Sequence, residues 1–350
     1  QKTTGEYQMK IVKRPTPDLK WEKTLSSNIG VDLSFFKNRI NGVFNYYYKK
    51  TTDLITQREV PLENGVRSMY INSGDLTNKG WELSLSVVPV RTKNFMWSIG
   101  TSFSHNNNKI KSQLETTQSW EEATAGTYQK EGYPVGSFWA FHFTGLNPEN
   151  GGPMFDDYMD NPEALYGLSK YDTYPRVLEA SGRREPTISG NVSTTLRWRN
   201  VRLSGNFAYS LGNKIRLFAI YNGSAATVMD AQNIRPENNV SKDFLYRWQK
   251  PGDERRTDIP AIIGKGDDNY PLYERHWSDS KQGIQPIAVS PWDMYDYGNH
   301  RVVSGNYLKC SNLSLTYEFK EEVLKRLRLS RLDLTLSATN LFTVSAKELK

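Results

Sequence analysis

Five carboxylates have types and spacing that could do chemistry: Asp156, Asp157 and Asp160 in one segment, Asp267 and Asp268 in another. Paired carboxylates suit glycoside hydrolysis, and clustered carboxylate oxygens suit calcium. Neighbours such as Asp156 and Asp157 do not usually face each other, and no EF-hand spacing is present. The expectation is no catalytic residue, no metal ligand set and no cofactor, with a loop-bound calcium as the only cation these acids suggest. Ile263-Gly264-Lys265-Gly266-Asp267 is glycine-rich, but it lacks the GK[ST] ending and the preceding buried strand of a phosphate loop. The four histidines (His105, His142, His276, His300) are scattered, which leaves little material for a metal site. The single cysteine, Cys310, excludes a CxxC motif and an internal disulfide framework.

The residues best suited to binding are aromatic. One segment carries Trp120, Tyr128, Tyr133, Phe138, Trp139, Phe141, His142 and Phe143; another carries Tyr270, Tyr273, Trp277, Trp292, Tyr295 and Tyr297. Ring faces match apolar sugar faces or peptide side chains, and polar tips add hydrogen bonds. Trp120, Trp139, Phe141, His142, Tyr273, Trp277, Trp292 and Tyr295 are the candidates for touching a ligand. The alternative is that these rings pack the segments onto themselves.

The elements that must position them are strands. From Trp21 to Phe35 apolar residues recur at odd positions, with Glu22, Thr24, Ser26, Asn28, Asp32 and Ser34 between them. Period two means one apolar and one polar face. The run is about three times a soluble strand of five or six residues. The pattern recurs, predicting eight long strands near 20–36, 39–55, 76–90, 94–108, 186–198, 201–215, 302–319 and 331–343, in four hairpins. Turns inside hairpins are mostly short. Connections between them, near 56–75, 109–185 and 216–301, are too long for a compact soluble domain. Short turns at one end and long loops at the other are the pattern of an outer-membrane barrel.

Placement of the large aromatics fits that reading. Trp21 and Trp81, with Tyr46, Tyr48 and Tyr209, are expected near the outer rim; Phe35, Trp97 and Trp198 lie by the short turns at the inner rim. Trp21 to Phe35 spans roughly 33 Å at ~3.3 Å per residue and ~45° tilt, enough to join two girdles across an apolar band of about 25 Å. A helix is expected where Val240, Phe244 and Trp248 share a face, with Ser241 as cap and Pro251-Gly252 as stop.

Composition sets the remaining bounds. The 350 residues carry a net charge of +7 and are 12% aromatic, too aromatic for a disordered chain. No run approaches 18 apolar residues, which excludes a transmembrane helix but not a membrane barrel. Lys37, Arg39, Arg91, Lys93, Arg197, Arg199, Arg202, Lys325, Arg326 and Arg328 cluster at the short turns. That ring suits anionic headgroups rather than the continuous basic face of a nucleic-acid binder. Competing classes are a passive porin, a soluble β-rich carbohydrate-binding module and a surface glycosidase.

Several segments, in order along nearly the whole chain, resemble the SusC/RagA family of TonB-dependent outer-membrane transporters. They are Pro17 to Thr24 with Asn28 to Asp32, Tyr46 to Leu54, and Asn72 to Leu83. Arg247-Trp248 with Pro251-Gly252-Asp253 resembles a loop motif. Asn306 to Lys309, Asn312 to Leu315 and Asn340 to Thr343 resemble the last strands. The resemblance implies an all-β fold: a transmembrane antiparallel barrel of 22 strands with long extracellular loops, of which residues 1–350 supply eight, about the fourteenth to the twenty-first. Plug domain, N-terminal strands and last strand are then expected outside this sequence. It also implies import of a glycan or oligopeptide across a Bacteroidota-like outer membrane, a SusD-like lipoprotein partner, and TonB acting through an N-terminal region.

Overall fold

A computed structural model describes residues 15–66, 68–112, 120–156, 162–165, 170–221, 241–264, 266–273, 289 and 291–349. Asp157, Asp160, Val240, Lys265, His276 and Trp277 lie outside the described residues.

Eight long strands form one antiparallel sheet: β1 (Lys23–Phe35), β2 (Ile40–Thr52), β3 (Leu76–Arg91), β4 (Phe95–Ile110), β5 (Ile188–Trp198), β6 (Val201–Leu211), β7 (Tyr307–Glu318) and β8 (Asp333–Ser345). Each pairs with its neighbour in chain order. Register shows why the alternating sequence takes this form. One row across the sheet reads Val31, Phe44, Leu83, Phe103, Gly190, Tyr209, Leu308, Val344. A row on the opposite face reads Ser34, Asn41, Ser86, Gly100, Ser193, Asn206, Asn312, Thr339. The sheet is apolar on one side and lined with small hydroxyls and amides on the other.

The apolar face is not covered. Leu25, Ile29, Leu33, Phe35, Leu313, Leu315, Leu334 and Leu336 are all exposed, Leu336 by 74%. Of the buried apolar residues only Ile110 and Cys310 belong to the eight strands. A continuous apolar wall of this extent needs another apolar phase, and lipid supplies one. The sheet ends in two unpaired edges, β1 and β8. Such edges are not tolerated in hydrocarbon, so the eight strands are part of a larger closed wall.

Small residues let rings lie flat on the wall. A Cβ at Gly80 would collide with the His105 carbonyl oxygen and the Tyr47 hydroxyl; Tyr47 donates from there to Asn106 Oδ1, 3.0 Å away. On the other face Tyr209 covers Gly190 and donates to the Ser102 carbonyl at 3.0 Å.

Three hairpin turns are short. Residues 36–39 take three consecutive left-handed positions at Phe36, Lys37 and Asn38, held by Ser34 donating to Asn38. Thr92 and Phe95 close the second turn. The third is Arg199-Asn200, with Arg199 at φ 51°. The fourth connection differs from expectation: it holds a helix, Glu321–Leu327, capped by left-handed Arg328.

At the opposite end the sixth and seventh strands stop earlier than periodicity suggested. Gly212, at φ 82°, breaks the ladder, which resumes as a small sheet of Lys214–Arg216 with Val302–Ser304. The long connections are structured as well. The first continues as a hairpin, Ile55–Glu59 with Ser68–Asn72. The second and third fold together into a body with short helices at Trp120–Ala125, Lys170–Val177 and Pro291–Asp296, and strand pairs joining 137–141 to 178–183 and 143–146 to 153–155.

Candidate functional site

The polar face of the wall and the loop body above it are the two surfaces where a ligand could be met. Wall residues such as Ser34, Ser102, Asn191, Ser193 and Asn206 offer neutral donors and acceptors. Ser102 donates to Asn191 Oδ1 at 2.6 Å, for example. Charge concentrates near the short turns, where Glu318 accepts from Arg202 and lies 4.0 Å from Arg197.

The loop body owes its shape to aromatic packing. Its first cluster gathers Tyr221, Phe244, Trp248, Tyr273, Trp292 and Tyr295 around Leu146, Ile220 and Ile263. The second gathers Trp139, Phe141, Tyr174, Leu178 and Met294, with Trp120, Tyr128 and Tyr133 packed against it. Most of the rings meet edge-to-face or tilted, as their quadrupoles favour, such as Tyr133 to Trp139 at 4.7 Å and Trp120 to Tyr297 at 5.3 Å, while Tyr273 stacks on Trp292 at 5.6 Å. Gly151 and Gly152 leave room for the rings of Trp248 and Tyr273.

This packing decides where the sequence-derived candidates sit. Trp139, Phe141, Tyr273, Trp292 and Tyr295 are buried, Phe141 and Trp292 completely. Their rings pack the loop segments onto one another. Trp120 is half-buried against Phe141 and Tyr297. His142 is exposed, 3.6 Å from Glu179. The expected helix around Phe244 is a 3₁₀ turn, Lys242–Tyr246. Ser241 caps it by accepting from the Asp243 N–H, and Phe244 and Trp248 are buried in one cluster.

Of the rim candidates, Trp21 precedes β1 and is 88% exposed. Tyr46 and Trp81 are directly paired within the wall. Phe35 pairs with Ile40 beside the first turn, and Trp198 with Val201 beside the third. Trp97 faces Leu196, and its indole donates to Thr194. Asp156 is exposed, while Asp267 accepts from Asn269 in a local turn. Among the described residues no three metal-ligating side chains converge. A cleft of about 410 Å³ lies between the segment preceding β1 and the Ser68–Asn72 strand, lined by Asp18, Lys20, Asp53, Met69, Tyr70 and Asn72.

A polar cluster inside the loop body was not legible in the sequence. Arg216 donates to the carbonyls of Thr124 and Trp139 at 3.0 Å each, and lies between the rings of Phe138 and Tyr297. Burial lowers its pKa to about 10, so it stays charged at neutral pH. Asp296 is 1% exposed and accepts from the Ile220 and Tyr221 N–H groups at 2.7 and 2.9 Å. Burial raises its pKa to about 6. Buried Arg301 donates to the Phe218 carbonyl and lies over Tyr295. His300 packs at a tilt against Phe143 at 4.1 Å and Tyr295 at 4.6 Å; burial, then Arg301 and Arg216, push its pKa down to about 3, leaving it neutral. Arg216 and Asp296 tie the 120–141 segment, the 214–221 segment and the 291–301 segment together. The only sequence trace is a Lys-Ile-Arg alternation at 214–216 that carries the strand pattern past the wall.

Among the described residues no helix is long and apolar enough to cross a membrane, which says nothing against crossing by strands. Comparisons with known proteins agree with the strand architecture. The model of the family described as TonB dependent receptor-like, beta-barrel matches residues 3–341. A TonB-dependent receptor of Formosa agariphila is 25% identical over 93% of this chain and 30% of its own length. TonB-dependent receptor SusC of Bacteroides thetaiotaomicron is 31% identical over 41% of this chain and 15% of its own. The solved structure of the RagAB peptide transporter superposes with a TM-score of 0.69 at 21% identity, over 99% of this chain and 34% of that one. The chain thus spans about a third of the length of the first of these relatives and of that solved chain. The match over almost all of the sequence, together with the two-faced wall, places this chain in the TonB-dependent receptor-like β-barrel family.

Proposed function

We propose that this chain is the C-terminal part of the barrel of an outer-membrane importer for bulky nutrients, a glycan or an oligopeptide. The observation that carries the reading is the wall: an uncovered apolar face backed by a row-by-row polar lining, with a packed loop body at one end only. A wide polar lumen passes hydrated cargo without offering it a tight site. In this reading a plug elsewhere in the protein is pulled by TonB, and a SusD-like lipoprotein closes the loop face. Similarity to SusC, and to a structure described as a peptide transporter, supports both parts but does not choose between glycan and peptide. The Formosa and Bacteroides relatives favour a Bacteroidota outer membrane.

The test is intact-mass and peptide mapping of the native particle in detergent, followed by uptake in a strain with and without TonB. A longer parent chain with a plug, a co-purifying lipoprotein and TonB-dependent uptake are expected. Uptake unaffected by TonB loss would favour a passive porin. A single 40.2 kDa species soluble without detergent would overturn the reading.

A further inference from the structure

The connection between β7 and β8 is the one hairpin tip of the four that is larger than a turn. Its helix Glu321–Leu327 is amphipathic: Val323, Leu324 and Leu327 share one stripe at i, i+1 and i+4. None is buried, and Val323, Leu327 and the following Leu329 are exposed by 38%, 53% and 46%. Basic residues flank the stripe. Between Lys320 and Arg331 there are five basic residues against two acidic ones. One of those acids, Glu321, is held by Lys325 at 3.0 Å, leaving Arg326 and Arg328 without an acidic partner among the described residues. The tip is also continuous with the apolar wall. Phe319 hydrogen-bonds to Leu332 beyond the end of the ladder, extending the face that carries Leu315, Tyr317, Leu334 and Leu336 up to the helix.

We infer that this tip is an interfacial anchor that lays Val323, Leu327 and Leu329 into the headgroup boundary of the periplasm-facing leaflet, with Arg326 and Arg328 on anionic phospholipid headgroups. An amphipathic helix with a basic flank lies in the interface plane. Its arginines keep their heads at the phosphates while their stems cover apolar surface. Each basic residue near such a surface adds attraction worth roughly a fivefold change in binding. The occupant is set by continuity and charge: the wall beside the tip faces lipid, and the excess charge is positive. The inference rests on the outer-membrane barrel reading.

The experiment uses the full-length transporter in nanodiscs of phosphatidylethanolamine with and without phosphatidylglycerol. Nitroxide labels are placed by Leu327→Cys, by Leu336→Cys on the wall, and by Lys93→Cys at a short turn. Cys310 is buried and does not compete for label. Access of oxygen and of an aqueous nickel chelate is read at each site. Leu327 is expected to follow the wall, with oxygen access exceeding nickel access, most clearly with phosphatidylglycerol present. In native mass spectrometry the double variant Arg326→Gln with Arg328→Asn should retain phosphatidylglycerol roughly 25-fold less well. Nickel access at Leu327 equal to that at Lys93 would overturn the anchor. So would shielding from both reagents, which would mean that protein covers the tip. Nickel access at Leu336 would instead overturn the barrel reading itself.

Discussion

Leu85 and Ser86 are adjacent in β3 but lie on opposite faces: Leu85 is paired with Gly42 and Thr101, Ser86 with Asn41 and Gly100. The same large charged side chain placed at each gives a direct test of the two-faced wall. Leu85 stands six positions before Arg91 at the short-turn end. At ~3.3 Å per residue and ~45° tilt that is roughly 14 Å of height, near the middle of an apolar band about 25 Å tall. Arginine facing lipid at that depth costs about 2–4 kcal/mol, or roughly 30- to 1,000-fold in the folding equilibrium. Facing the lumen it stays hydrated, and Gly100 beside Ser86 leaves room, so the cost should stay below about 1 kcal/mol. The assay is urea titration of the full-length protein in lipid vesicles, read by the shift between folded and unfolded bands on unheated gels. Leu85→Arg should lower the urea midpoint strongly and Ser86→Arg little. Equal losses at the two positions would refute the assignment of faces, and a larger loss at Ser86 would invert it.

Other outcomes follow from the same structure. Gly190→Ala brings a methyl against the Ser102 carbonyl, with the Tyr209 ring beside it. It should cost about 1–3 kcal/mol of barrel stability, and pairing it with Tyr209→Ala should recover little, because the closer obstacle is backbone. Arg216→Met leaves the Thr124 and Trp139 carbonyls unpaired inside the loop body. Amide exchange across 120–141 should accelerate by an amount equivalent to about 2–4 kcal/mol, with wall amides unchanged. Trp248→Ala vacates the space over Gly151 and should cost about 3–5 kcal/mol locally, seen as protease cleavage within 241–264 while the barrel persists. The pH response of the loop body is set by two opposed groups. His300 prefers to be neutral in the fold, so its contribution is full above pH 6.5 and is lost as pH falls toward 3; at pH 5 that is about 2 kcal/mol. Asp296 prefers its proton in the fold, so lowering pH from 6 toward 3.8 restores stability, about 1.4 kcal/mol by pH 5. Wild type should therefore change little between pH 7 and 5, whereas His300→Phe should become more resistant to exchange at 291–301 by about 1.4 kcal/mol. Identical pH responses in the two proteins would contradict the placement of His300.

The wall was legible in the sequence and the loop body was not. A strand with one face in lipid and one in water must alternate at every step, so Trp21 to Phe35 announces β1 without any knowledge of its neighbours. The ends were less legible. Gly212, at φ 82°, breaks a pattern whose alternation continues through Ile215, and the Glu321–Leu327 helix is shorter than the window over which helical periodicity shows. In the loops the rings themselves were visible, but period and spacing do not say whether a ring faces inward. Trp292 and Trp120 look alike in sequence; one is completely buried and the other half-buried because of contacts with rings distant along the chain, Tyr221 for Trp292 and Tyr297 for Trp120. Arg216 and Asp296 were missed for a related reason. Their partners are backbone groups of distant segments, and backbone groups leave no mark in a side-chain pattern.

Keeping the rings inside has a consequence for how such a protein can diversify. The large aromatics hold three segments in register from within, so the outward residues carry little structural duty. Leu245, Tyr246 and Leu272 project from the loop body with 71%, 71% and 48% of their surface free, and exchanging them alters the surface the loops present while the packing beneath is untouched. The loop surface can therefore drift among related chains without each change having to re-solve the folding of the loops.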